Sequence, residues 1–221
     1  MTGFKSSLAR SHQTFEDLIR ILKPSEMVEF GSWEGRSCIA FCEIARDFGL
    51  PFKMLCVDTW LGSYEHWMNK LADSEWSKDR LRVESGVPKV FETFKRNLRD
   101  SGFMNQVSIL RCPTEFSSNY LRSNHWNADL IYIDAGHEFV SVKRDIEIAN
   151  SSFKNCLISG DDFTWPSVRK AVSLSALKIK EYLLVGPDDA TWIMLPKSKH
   201  YLVDEFIKSG WHLHNSLSTF A

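Results

Sequence analysis

No apolar run in this sequence approaches the ~18 residues that a membrane span requires, so no membrane partner is expected. The N-terminus carries no apolar stretch leading to a small-residue cleavage site, and a secretory signal is not expected either. An excess of positive charge is also missing: 27 Lys and Arg face 28 Asp and Glu, for a formal net charge of −1. A protein held chiefly by phosphate backbones or anionic lipid would show that excess, so nucleic acid is not an expected partner. None of the five cysteines (Cys38, Cys42, Cys56, Cys112, Cys156) forms a C-x-x-C pair, and the count is odd. Most lie inside apolar runs, which reads as buried free thiols in a reducing, cytoplasmic compartment. There is no internal repeat and no low-complexity linker. Residues 1–221 therefore read as one domain, long enough for an α/β core with length left for an insertion or cap.

What is present is a pair of apolar runs that each stop abruptly in acid. Leu130 to Ile133 ends at Asp134-Ala-Gly-His137, and Cys156 to Ile158 ends at Gly160-Asp161-Asp162. Short apolar runs bounded by turn residues read as buried strands of a parallel sheet. Between them, Phe139 to Ser151 has helical spacing at Val142, Ile146 and Ala149. A strand–helix–strand unit crosses over right-handed and brings both strand carboxyl ends to one edge. Asp134, His137, Asp161 and Asp162 should meet there. Three carboxylates at one point repel each other unless a cation sits among them. Oxygen donors suit a hard ion such as Mg²⁺, Mn²⁺ or Ca²⁺. His137 is then a ligand or a base beside the metal. The plainer alternative is that strand-end Asp residues cap the following helices.

Earlier in the chain, Met27 to Phe30 reads as a strand that Gly31-Ser32-Trp33-Glu34-Gly35-Arg36-Ser37 turns into a helix from Cys38 to Phe48. A glycine directly after a strand lets a ligand approach the backbone, and the new helix offers free N–H groups. The spacing is neither G-x-G-x-x-G nor G-x-x-x-x-G-K-[ST], so dinucleotide and P-loop readings are weak. Phe52 to Asp58 is a second strand ending in acid. Asp58 lies 27 positions after Gly31, where nucleotide-binding α/β folds hold a ribose diol.

Residues 59–88, with Trp60, Tyr64, His66, Trp67 and Trp76, are an aromatic insertion at the same sheet edge. It reads as a lid or substrate wall, or as a Trp-rich contact within a homo-oligomer. Residues 1–24 form an N-terminal helical cap, with Thr14 to Leu22 packed on the sheet edge. Lys89 to Ser101, Thr114 to about Leu121, Trp165 to Leu177 and His200 to Lys208 have helical spacing. Val107 to Leu110 is a third strand, and Ile179 to Val185 pairs with Thr191 to Leu195 around a turn. Trp211 to His214 is a candidate last edge strand.

This order of elements resembles the class I S-adenosylmethionine-dependent methyltransferases. The motifs V-E-F-G-S-W-E-G-R-S (28–37), V-D-T-W (57–60), I-Y-I-D-A-G-H (131–137) and S-G-D-D-F-T-W-P-S-V-R-K-A-V (159–172) narrow the resemblance to the metal-dependent macrocin- and mycinamicin-type sugar O-methyltransferases. The resemblance implies a Rossmann-like, seven-stranded α/β fold whose sheet is mostly parallel with an antiparallel last strand. It implies Mg²⁺ on Asp134, Asp161 and Asp162, with His137 as the base. It also implies cofactor contacts from Glu29, Gly31, Ser32, Gly35, Ser37 and Asp58, with Thr114 and Glu115 at the adenine end.

The chemistry expected from these parts is methyl transfer to a hydroxyl of a small molecule, such as a sugar or natural product. The protein's main task is alignment, since the sulfonium is already an activated donor. A hydroxyl is a poor nucleophile at neutral pH, and metal plus imidazole is a physical answer to that. Two other functions compete. One is a cofactor-binding or scaffold protein on the same fold without turnover. The other is a nucleic-acid base methyltransferase, which would carry an N/D-P-P-Y/F loop where this chain has Asp134-Ala-Gly-His137. An iron(II) hydroxylase needs two His and one carboxylate, a set this site does not offer.

Overall fold

The computed structural model describes residues 8–67, 81–153, 156–179 and 181–214. Five strands run parallel: β1 (Glu26–Phe30), β2 (Lys53–Asp58), β3 (Val107–Arg111), β4 (Leu130–Ile133) and β5 (Leu157–Gly160). β6 (Tyr182–Val185) and β7 (Trp192–Leu195) follow as an antiparallel pair, with β7 against β5. The sheet order is β3-β2-β1-β4-β5-β7-β6-β8, where β8 (His212–Leu213) is the short edge strand raised by the sequence. The seven expected strands are thus present, and this edge strand makes eight.

Helices cover both faces, which is why the central strands are buried and largely apolar. On one face lie α1 (Leu8–Leu22), α2 (Arg36–Asp47), α4 (Val90–Ser101) and α8 (Tyr201–Lys208), sharing a buried cluster with Met27, Met54 and Tyr132. On the other lie α5 (Thr114–Ser123), α6 (Phe139–Ser152) and α7 (Pro166–Ile179), packed on Val28, Leu55 and Ile131. Each strand sends alternate side chains to the two clusters, as the two-residue period of a strand requires.

α1 is longer than the expected Thr14–Leu22 segment and does not sit at the sheet edge. Its apolar stripe of Phe15, Leu18 and Ile19 is buried on the sheet face. The Phe15 ring lies 4.4 Å from Phe41 of α2 and 5.5 Å, edge-on, from Tyr132 of β4. Buried Asp17 accepts a bond from Trp211 Nε1 at 3.0 Å, tying α1 to the chain just after α8. The short N-terminal stripe chose the larger apolar surface available, and that surface is the face.

Register places the candidate site. Phe30 pairs with Val57 and with Ile133, and Ile133 pairs with Gly160. The next residue on each strand is Gly31, Asp58, Asp134 or Asp161. These four form one row across the carboxyl edge of β2, β1, β4 and β5. Backbone bonds continue past the strands along this row: Gly31 N donates to Val57 O (2.9 Å), Asp134 N to Phe30 O (2.8 Å) and Asp161 N to Ile133 O (3.1 Å).

Of the 59–88 insertion, residues 59–67 and 81–88 are described. Trp60 is fully buried and donates through Nε1 to the Trp33 carbonyl at 2.8 Å, and α3 (Tyr64–Trp67) adds a single turn. Residues 68–80, including Trp76, lie outside the described residues. All five cysteines are free thiols. Among the described residues, no helix is long and apolar enough to cross a membrane.

Candidate active site

The row of strand ends borders a cavity of about 810 Å³. The loop from Gly31 to Gly35 forms part of its floor. Gly31 has φ 84°, and a Cβ there would lie 2.1 Å from the Asp134 carbonyl oxygen. The close approach that demands glycine is therefore to the β4 loop, rather than to a ligand as the sequence suggested. Gly35, φ 84°, ends the loop in the left-handed region as α2 begins.

Two acids shape this loop from below and beside. Glu29 is fully buried and accepts hydrogen bonds from the Ser32 and Ser37 hydroxyls, each at 2.5 Å. Burial, countered by those two hydroxyls, pushes its carboxyl up to about 7. Asp58 Oδ2 accepts from Ser32 N and Trp33 N, both at 2.9 Å, and Oδ1 from Trp60 N at 2.7 Å. A carboxylate has about four lone-pair sites, so Asp58, with three amides bound, retains room for one more donor such as a ribose hydroxyl. Gly31, Ser32, Ser37, Asp58, Thr114 and Glu115 all line the cavity. Glu29 and Gly35 do not, and they act on it through the loop they hold.

The acids of β4 and β5 form the other end. Asp134, His137 and Asp162 each offer a ligand atom, and these atoms lie within 4.8 Å of one another. His137 Nε2 is 2.7 Å from Asp162 Oδ2. The imidazole stacks on Trp165 at 4.7 Å, and the Ser167 hydroxyl donates to the His137 carbonyl at 2.7 Å. Asp162 has φ 62°, a left-handed conformation that Asp tolerates better than most residues. Asp161 shares the cavity but is turned differently: its Oδ1 accepts from Asp162 N at 2.8 Å. Its carbonyl accepts from Trp192 Nε1 at 3.0 Å.

The electrostatics of this end follow from crowding. Burial, then the neighbouring Asp161 and Asp162, hold the Asp134 carboxyl well above the usual carboxylate range. Burial and Asp162 push Asp161 up to about 6. A divalent cation removes that conflict by favouring the charged form of every acid around it. The donor set of carboxylate oxygens with one imidazole fits a hard ion.

The structure adds cavity residues that sequence reasoning missed. Phe15 reaches the wall from α1, and Asp145 from α6. His66, from the insertion read as a lid or substrate wall, also lines the cavity and stacks on Trp33 of the glycine loop at 4.2 Å, with Ser63 N donating to His66 Nδ1 at 3.0 Å. Trp165 stood within a quoted motif, but only the fold lays it under His137. No local pattern marks Phe15 or Asp145, since each sits in an ordinary helical repeat.

Residues 28–163, more than half of the chain, match a family model described as a methyltransferase domain. The chain belongs to this methyltransferase family. A search of curated proteins finds no match. Solved structures with the same fold include CalS11, a TDP-rhamnose 3'-O-methyltransferase of calicheamicin biosynthesis. It is 16% identical, with TM-score 0.61, over 86% of this chain and 81% of that one. The O-methyltransferase NovP is 17% identical, with TM-score 0.61, over 85% and 79%. An O-methyltransferase from Bacillus cereus in complex with SAH is 14% identical, with TM-score 0.58, over 84% and 80%. At these identities the likeness is one of fold. This methyltransferase places its family-matched segment from β1 to the loop after β5, the stretch that builds both ends of the cavity.

Proposed function

We propose that this methyltransferase transfers the methyl group of S-adenosylmethionine to a hydroxyl of a small molecule, such as a sugar or natural product, with a divalent metal. The observation that carries the reading is the joining of two ends in one cavity. A glycine loop with Asp58 borders one end, and Asp134, His137 and Asp162 cluster within 4.8 Å at the other. The O-methylation named for CalS11 and NovP supports the choice of atom methylated.

In this reading Asp58 and the loop amides hold the ribose, and Thr114 and Glu115 bound the nucleoside end. S-adenosylmethionine supplies a methyl group already activated by its sulfonium. Asp134 and Asp162, with Asp161 from the same loop, would hold Mg²⁺, which as a Lewis acid makes a nearby hydroxyl more acidic. His137 is the base. Its ring is fixed by Trp165 on one side and by the Asp162 contact, so its orientation is set before the acceptor arrives. To accept the hydroxyl proton, Nε2 must carry no proton and turn from Asp162 Oδ2 to the acceptor, with the Trp165 stack keeping the ring plane. Trp33 and His66 form the wall that shields the site from water on the loop side.

The test is methyl transfer from S-adenosylmethionine to a panel of sugars and catechols, with and without chelator. Activity should vanish in excess chelator and return with Mg²⁺. His137→Ala should keep cofactor and metal binding while turnover falls about 10²–10⁴-fold, the range for loss of a general base. Its pH–rate profile should also lose the acidic limb. Full activity in chelator would remove the metal from the mechanism. Loss of metal binding in His137→Ala, with the pH profile intact, would make the histidine a ligand instead.

A further inference from the structure

A second group of metal-ligating side chains lies beneath the glycine loop, behind the cavity wall. Cys38 sits in the first turn of α2 and Cys42 follows four residues later, so the two share one helix face. That face packs in the same buried cluster as Cys56 of β2. β1 adds Glu29, and none of the four is more than 1% exposed. The Cys56 thiol donates to Glu29 Oε2 at 3.5 Å, and Cys38 is within hydrogen-bonding reach of both Cys42 and Cys56. Glu29, Cys38 and Cys56 each offer a ligand atom, and these atoms lie within 4.8 Å of one another.

The donor set selects the ion. The acids of β4 and β5 offer oxygen to a hard cation, whereas thiols joined by one carboxylate suit Zn²⁺. Zinc bonds of about 2.3 Å to sulfur and 2.0–2.2 Å to oxygen set tetrahedral ligands roughly 3.6–3.8 Å apart, close to the spacing of this group. Without a cation the thiols are held neutral. Contact with Cys42 and Cys56, then burial, keeps the Cys38 thiol well above the usual range, and burial pushes Cys56 up to about 11. A metal ion reverses that balance: each coordinating thiol releases its proton to solvent, and the thiolate charge is met by the ion. The position matters to the loop, because the Ser32 and Ser37 hydroxyls donate to the same Glu29 carboxylate.

We propose that Glu29, Cys38 and Cys56, completed by Cys42, form a structural site for Zn²⁺ that is separate from the acid cluster and ties α2 to β1 and β2 beneath the glycine loop. Protein ligands close the site on every side, so the ion supports the loop and takes no part in methyl transfer.

Because the site is buried, the ion enters as the chain folds. The experiment unfolds the full chain in urea with a reductant, refolds it with Zn²⁺ or Cd²⁺, and dialyses it against excess Mg²⁺. About one Cd²⁺ per chain should remain with an ultraviolet thiolate-to-metal charge-transfer band. The Zn²⁺ form should melt at a higher temperature than chain refolded with a chelator. Cys38→Ala and Cys56→Ala should each lose most of the band and of the gain in melting temperature. Asp162→Ala, in the acid cluster, should keep both. Cys56→Val replaces Cys56→Ala if that variant does not fold. A wild type that shows no band after refolding has only ordinary core thiols, and the site is overturned. A band undiminished in the folded cysteine variants, or one lost in Asp162→Ala, overturns it as well.

Discussion

The Asp58 carboxylate has two duties in this site. One is visible: it holds the amides of Ser32, Trp33 and Trp60 and so fixes the loop above the sheet. The other, a ribose bond, is part of the proposed function. Asp58→Ala removes both, so S-adenosylmethionine affinity should fall by about 10–100-fold or more, each lost bond to a charge being worth about 1.5–3 kcal/mol. Stability should fall with it, since three amides lose an acceptor. Calorimetry and urea unfolding on the same preparation check this, and unchanged affinity in a folded variant would take Asp58 out of the cofactor site. At this scale the sequence showed which acids stand at strand ends. It did not show that Asp162 adopts a left-handed backbone and meets His137, whereas Asp161 caps the Asp162 amide. Adjacent residues on one turn diverge by backbone angle, which a string of identical letters does not encode.

Among the elements, the contact between the β1 and β4 loops is the most sensitive. Gly31 combines φ 84° with a neighbouring carbonyl that a Cβ would meet at 2.1 Å. Gly49, φ 65°, follows α2 with nothing within 4 Å of a Cβ. Both should suffer the left-handed penalty of roughly 1–2 kcal/mol on replacement by Ala. Only Gly31→Ala should go beyond it, because backbone must move, and it should also weaken Mg²⁺ binding by displacing Asp134. Urea unfolding of the two variants, with a Mg²⁺ titration, separates strain from steric displacement; equal losses in both would show that the β1–β4 contact yields freely. Apart from α1, which starts at Leu8 rather than Thr14, and the single turn of α3, the helices were legible to within a turn. α4 ends at Gly102 in the left-handed region, as its place after an amphipathic run implied. The lodging of α1 on the sheet face was not legible, because a helix's apolar stripe does not say which of several apolar surfaces it will cover.

For the whole molecule, the buried acids make stability depend on pH. Glu29 and Asp145 are pushed up to about 7, Asp161 to about 6, and Asp134 well above its usual range, in each case with burial as the first cause. A carboxyl with a raised folded-state value keeps a proton that the unfolded chain has already released. Its stabilising contribution is complete below the ordinary value of 4.5 for Glu29 and is lost as pH rises through about 7. The metal-free protein should therefore lose stability between pH 5 and 8, with Glu29 alone accounting for on the order of 3 kcal/mol. Glu29→Gln should flatten the profile, since an amide carries no charge to bury. Adding Mg²⁺ at pH 7.5 should raise the melting temperature, and more so than at pH 5. A flat profile in the wild type would mean that these acids are better solvated than their surroundings imply.

The sequence by itself determined the order of strands and helices, because apolar periodicity and turn residues are local properties. It also determined which residue types end each strand: glycine at β1, and acid at β2, β4 and β5. The tertiary structure alone decided that Gly31, Asp58, Asp134 and Asp161 form a row, since that depends on strand register across residues far apart in the chain. It alone placed Glu29 beneath the loop rather than in the cavity, and brought Asp145 of α6 and Thr114 of α5 to one cavity wall. The physical reason is the same for each. Periodicity says that a side chain is buried, but what it is buried against is settled only when non-local elements pack.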